Sequence, residues 1–256
     1  MNALNWQRIA YPALGMVLLL AAWQLCVVQF NVPTVVLPSP AKVWNAAVKE
    51  HAALLTHGFV TLKESVYGFA LAFALGVPIA VAVAQSRILN LTFSPLLVAM
   101  QSVPKVALAP IVLVWAGTGI ESKLVIALLV AFFPIVVDTV AGMRATPREF
   151  LELAQSLRAS RWQILTKVQL PAAVPFVIAG SKVAVTLAVI GAVIGEFVGS
   201  NEGLGNLLLV ANSQLDTPLA FAALFGLALL GIVLYGAVAA LEWALDQWSG
   251  EAPLLH

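Results

Sequence analysis

The chain has 256 residues, of which 61% are hydrophobic and 10% charged, with a net charge of +1. Soluble domains carry about a quarter charged residues, and a chain this apolar would have no polar coat for water, whereas lipid solvates such a surface directly. The near-neutral balance gives no footprint for nucleic acid. The single cysteine, Cys26, excludes an intrachain disulfide and reads as a small apolar packing residue.

Crossing the hydrocarbon core takes about 20 mostly apolar residues. The first such run covers residues 11–28; Pro33 and Pro38 follow it in place of a small-residue cleavage site, so it reads as a retained span. Residues 39–57 are too polar to span and are expected outside, as an amphipathic segment at the interface. The second run, 66–84, is uncharged and bracketed by Lys63, Glu64 and Arg87. A third, 89–115, is broken by Pro95, Pro104, Lys105 and Pro110, and a fourth, 124–140, only by Pro134 and Asp138. The fifth, 175–198, contains Lys182 and Glu196, and the sixth, 219–241, has no charge.

Six spans put both termini on one side. That side holds Arg8, Arg87, Arg144, Arg148, Arg158, Arg161 and Lys167, against Lys42, Lys49, Lys63 and Lys123 opposite, which favours cytoplasmic termini. The longest cytoplasmic connection, 142–171, carries five basic and two acidic side chains. Phe150, Leu151, Ala154 and Leu157 recur at helical spacing behind Pro147, predicting a short amphipathic helix over 148–157. The pattern restarts after Ser160, with Trp162, Leu165 and Val168 on one face until Pro171 stops or kinks the helix. Two short helices joined by a turn are expected to lie against the cytoplasmic ends of the spans.

This loop resembles the cytoplasmic signature of ATP-binding cassette (ABC) importer permeases, which is written E-A-A, three residues, G, nine residues, I, one residue, L-P. Here Glu152, Leu153, Ala154, Arg158, Val168, Leu170 and Pro171 stand at those positions, with arginine in place of the glycine. The segments TLKESVYGFALAFALGVPIA, QSVPKVALAPIVLVWAGTG, AFFPIVVDTVAG and IGEFVGSNEGLGNLL extend the similarity to the permeases of sulfonate, taurine, nitrate and pyrimidine-precursor importers. The resemblance implies an all-α integral membrane protein of the type I ABC importer fold, in the bacterial inner membrane. It implies a permease core at 59–245, preceded by a transmembrane helix and periplasmic segment at 1–58 and followed by a cytoplasmic tail at 246–256. It also implies partners: a second copy of the permease, two ABC ATPase subunits, a periplasmic or lipid-anchored binding protein, and membrane lipid. Glu152, Ala154, Arg158, Leu170 and Pro171 would couple to the ATPase.

No G-x-x-x-x-G-K-[ST] loop is present, since Gly180-Ser181-Lys182 lacks the other elements at the needed spacing, so ATP hydrolysis must belong to a partner. His51, His57 and His256 show no metal-ligand spacing, and neither cofactor nor metal is expected. Ionisable groups at membrane depth are paired, wet or near an interface. Lys105, beside Gln101, is either an anion contact in the translocation path or a lysine snorkelling to the interface. Lys182 is expected to pair with Asp138. Glu196 opens EFVGSNEGLGN, which resembles the outer gate region of the family; a solvated loop is the alternative. Sulfonate-like anions and heterocyclic vitamin precursors both fit as solutes, and EFVGSNEGLGNLL is most similar to the heterocycle permeases. A secondary transporter is the rival, and the absence of repeated halves argues against it.

Overall fold

A computed structural model describes residues 3–249, and every element among them is helical. The helices are α1 (Ala3–Gln29), α2 (Pro40–Lys49), α3 (His51–Gln85), α4 (Arg87–Gln101), α5 (Lys105–Ala116) and α6 (Ile120–Arg144). They continue with α7 (Arg148–Ser156), α8 (Arg161–Ile164), a π-helical turn (Leu165–Gln169), α9 (Leu170–Gly199), α10 (Leu204–Ser213) and α11 (Thr217–Ser249). The part of the expected tail beyond residue 249, His256 included, lies outside the described residues.

Five helices are long and apolar enough to cross a membrane, and a sixth span exists if α4 and α5 count as one. Those two meet at 97° around Ser102–Val103–Pro104, so the third predicted run is two helices and not one straight one. Pro104 is where it breaks because proline also drives the residue before it out of helical dihedrals. Pro95 and Pro110 stay inside their helices.

Two boundaries differ from the sequence reading. α2 is the short helix expected at the interface, capped by the Ser39 hydroxyl, but α3 already begins at His51. At 1.5 Å per residue its 35 residues run about 52 Å, so its polar first turns extend beyond the hydrocarbon and the expected division at 58/59 falls inside a helix. Pro171 neither stops nor ends the second loop helix. The chain is helical from Arg161 to Gly199, and the π turn immediately before the proline widens the helix. There the Leu170 N–H bonds to the Leu165 carbonyl, which relieves the clash proline makes with the carbonyl four residues back.

The core is a three-helix seam of α3, α6 and α9. Ala72, Ala131, Ile135, Ala184 and Ala188 are fully buried at its centre. Lipid is as apolar as leucine, so membrane helices associate by close backbone approach at small residues. A Cβ at Gly191 would stand 2.6 Å from the Ala127 Cα, and one at Gly142 would stand 2.6 Å from the Phe176 Cβ. α1 and α11 lie outside this seam and turn large apolar side chains outward, as helices facing lipid do. Trp23 of α1 sits 6.0 Å from Phe221 and from Phe225 of α11, ring centre to ring centre. Cys26 is exposed on α1, not packed as expected.

Substituting Gly191 by valine is expected to force α6 and α9 apart and to lower the thermal stability of the detergent-solubilised protein by about 1–3 kcal/mol. Valine at Gly231, which has open space around it, should leave the melting temperature within error.

Candidate functional site: a cytoplasmic loop and a buried outer node

The loop between α6 and α9 forms the two predicted helices. Thr146 caps the end of α6 by donating to the Met143 carbonyl at 3.0 Å, and α7 starts directly after Pro147. α7 ends at Leu157, and Arg158 follows with φ +57. The Arg158 N–H bonds to the Gln155 carbonyl at 2.9 Å and the Ala159 N–H to the Ala154 carbonyl at 3.0 Å. This pair of bonds is the Schellman termination, whose left-handed residue is usually glycine. Arg158 therefore occupies the signature's glycine position in the signature's expected conformation and accepts the strain. The chain then enters α8 through a reciprocal cap: the Gln163 N–H bonds to the Ser160 hydroxyl at 3.2 Å, and the Ser160 N–H to Gln163 Oε1 at 2.8 Å. That S-x-x-Q spacing is readable in the sequence and was not used above.

The two helices differ in their anchorage. Leu165 is buried with Met143 and Ala173, and Gln85 of α3 donates to Gln169 at 2.5 Å, so the segment leading into α9 is held by the spans. Leu170 packs against the same cluster, while Pro171 is exposed. α7 buries no side chain, contrary to the expectation that both helices lie against the spans. Phe150 and Leu153 are each 57% exposed and Leu157 75%, with Glu152 exposed beside them and Ala154 half-buried. An amphipathic helix that leaves large apolar side chains this exposed offers them to another surface.

The other candidates separate. Gln101 ends α4 exposed, and Lys105 begins α5 half-buried, with its ammonium 5.2 Å from the centre of the Phe133 ring. Phe133 lies near the middle of α6, and among the described residues no carboxylate pairs with Lys105. Lys182 pairs with Glu242 of α11, with the Tyr235 ring 6.0 Å away, and not with Asp138. Two residues are about 200° around a helix; Gly180 thus faces Asp138, while Lys182 faces α11.

Glu196 is neither in a solvated loop nor on an open path; it is 1% exposed. Its Oε1 accepts from the Thr61 hydroxyl at 2.6 Å and its Oε2 from the Gly205 N–H at 2.5 Å. A Cβ at Gly203, whose φ is +101, would collide with that carboxylate, so glycine is required there for space and for conformation alike. The Leu204 N–H donates to Thr61 Oγ1 at 2.8 Å and the Gly203 N–H to His57 Nδ1 at 3.0 Å. Beside Glu196 lies Glu64, whose Oε1 is 3.0 Å from Lys123 Nζ; the same ammonium donates to Ser200 Oγ at 2.6 Å. Lys123 is therefore a buried partner and not a loop charge marking topology. Above this pair opens a cavity of about 450 Å³, with Lys63, Thr118, Asn201 and Glu202 exposed at its rim. Residue-by-residue reading missed this node, because Glu64 and Lys123 are merely span-flanking charges until the spans are set side by side.

The family model for the inner membrane component of binding-protein-dependent transport systems matches residues 72–247. The riboflavin transport system permease protein of Chloroflexus aurantiacus is 40% identical over 94% of this chain and 92% of its own. The formylaminopyrimidine transport permease protein of Halalkalibacterium halodurans is 36% identical over 93% and 95%. Among solved structures, an inward-facing conformation of the MetNI methionine ABC transporter superposes with a TM-score of 0.69 at 21% identity, covering 77% of this chain and 97% of that one. That likeness gives the type I ABC importer permease fold, and with the family match over 72–247 it makes this chain a member of the binding-protein-dependent inner membrane components, the multi-pass permease subunit of an ABC importer.

Proposed function

We propose that α7 and the Arg158 turn form the docking element for an ABC ATPase subunit, and that the working unit is two copies of this chain, two ATPases and a binding protein that delivers solute from outside. The observation that carries this reading is the exposed apolar side of α7, set beside Glu152 on the long loop that joins the closely packed α6 and α9. ATP-driven closure of the ATPases would draw two such loops together and swing α6 and α9 with them. Residues 59–245 serve as the transporting core, residues 1–58 as an added span and interface helix, and residues 246–256 as a cytoplasmic tail.

For the solute we propose a nitrogen heterocycle of the vitamin-precursor kind. Support comes from two relatives named for a flavin and a pyrimidine, both matched over nearly their whole length. Lys105, Gln101 and the outer Glu196 mark the path and its gate. An intramembrane ammonium that no carboxylate neutralises is a functional candidate by default, and Lys105 would offer a cation to a ring carbonyl or an acidic ring nitrogen.

Three outcomes test the reading. Glu152→Lys should leave the protein inserted and folded but abolish binding to the ATPase co-expressed from the same operon, measured by co-purification; retention at the parental level would remove α7 from the interface. Arg158→Gly should relieve a left-handed residue and raise the stability of the isolated permease by about 1–2 kcal/mol, yet weaken ATPase binding, more so at low salt where a guanidinium–carboxylate contact is least screened. Equal binding at two ionic strengths would mean that Arg158 recognises nothing. Lys105→Gln should lower uptake of the solute found by a thermal-shift screen of the binding protein while leaving basal ATPase activity unchanged; normal uptake would take Lys105 out of the path.

A further inference from the structure

We propose that Glu64, Lys123 and Glu196 form a latch that holds the outer turn at 199–205 closed, and that these are positioning residues whose contacts must part for the outer end to open. The inference rests on the importer reading above.

The three side chains come from three spans, α3, α6 and α9, and each is more than nine-tenths buried. Their contacts converge on a single segment. Lys123 reaches Ser200, Glu196 takes the Gly205 N–H, and Thr61, itself bonded to Glu196, takes the Leu204 N–H. Ser200 in turn bonds to the carbonyl and the N–H of Glu202, so the turn is internally braced and moves as a unit.

The composition of the cluster argues for a switch rather than a rivet. A buried ion pair is often no more stabilising than apolar residues of the same shape, because desolvation offsets attraction. Here the lysine pairs with Glu64, a second carboxylate, Glu196, lies beside that pair, and Glu64 Oε2 meets no hydrogen-bond donor. Such a node is directional and fully made only in one arrangement of the three spans; a small shift of any one leaves charges unpaired in a dry site. The node therefore favours two discrete states over a continuum. It also lies directly beneath the cavity rimmed by Lys63 and Glu202, where an arriving partner or solute would meet it first.

The test needs no ATPase. In a full-length Cys26→Ala background, a cysteine at Leu204, whose side chain is 2% exposed within the turn, is treated with a membrane-impermeant maleimide with the protein in detergent. A second reporter replaces Ala173, fully buried at the opposite end. Labelling at 204 should be slow in the parent and faster by roughly tenfold or more in Glu64→Gln and Lys123→Met, as expected on losing a hydrogen bond to a charged partner. Lys123→Arg, which keeps the charge, should restore slow labelling, and residue 173 should stay protected throughout. Unchanged labelling at 204 in both variants overturns the latch. Residues 204 and 173 reacting together would also overturn it, since the cluster would then only hold the fold. Either failure leaves the ATPase-docking assignment of α7 untouched.

Discussion

The near-contact of α6 and α9 backbones is the constraint on which the rest of the molecule depends. At Gly191 against Ala127 the two helices are closer than any side chain permits, and at Gly142 against Phe176 they close again near the other end. With no hydrophobic effect between helices in lipid, such small-residue approach is what fixes their relative position. α7 and α8 form the connection between these two helices. The outer node is built on their far ends, with Lys123 near the start of α6 and Glu196 near the end of α9. A force applied at the loop is therefore applied to both members of the pair that closes the opposite face.

The charges divide along the same geometry. Lys182 and Glu242 tie α9 to α11 at its periphery, where the pair is partly exposed and contributes little. Lys105 sets its ammonium over the Phe133 ring, and among the described residues no carboxylate pairs with it. Glu64, Lys123 and Glu196 are the set that joins the three central helices, and they do so where the chain must leave α9 and turn back. A node with fixed hydrogen-bond directions is fully made in only one arrangement of those three helices.

Much of this was legible in the sequence. The apolar runs locate the five membrane-length helices and the bent α4–α5 pair, because spanning a bilayer leaves a composition signal that no turn chemistry can hide. The signature spacing sets Arg158 at a glycine position, which a reshaped turn or a left-handed residue could equally satisfy; the φ of +57 shows the left-handed one. What escaped are quantities that depend on rotation and height. Lys182 was assigned to Asp138 by distance along the chain, and the two-residue offset from Gly180 turns it to the other side of α9. The start of α3 was set at the first uncharged residue, although a helix outside the hydrocarbon is free to be polar. The π turn before Pro171 has no composition of its own, and the outer node exists only once three spans are aligned.

The loop itself illustrates how little local structure a docking element needs. A nine-residue helix is too short to persist alone in water, and α7 buries no side chain fully. Its order comes from its ends: Pro147 preset before the first turn, and the Schellman bonds at Arg158 after the last. An arginine at the left-handed position weakens the second of these by the strain it carries, so the isolated helix is held less firmly than a glycine would hold it. Burying Phe150, Leu153 and Leu157 against another surface would supply what the turn withholds, since each such side chain is worth about 1.5–3 kcal/mol when fully removed from water. On the proposed docking, a partner would complete such a helix, and its movement would be transmitted through the π turn and Leu165, the point where the loop is gripped by Met143 of α6 and Ala173 of α9.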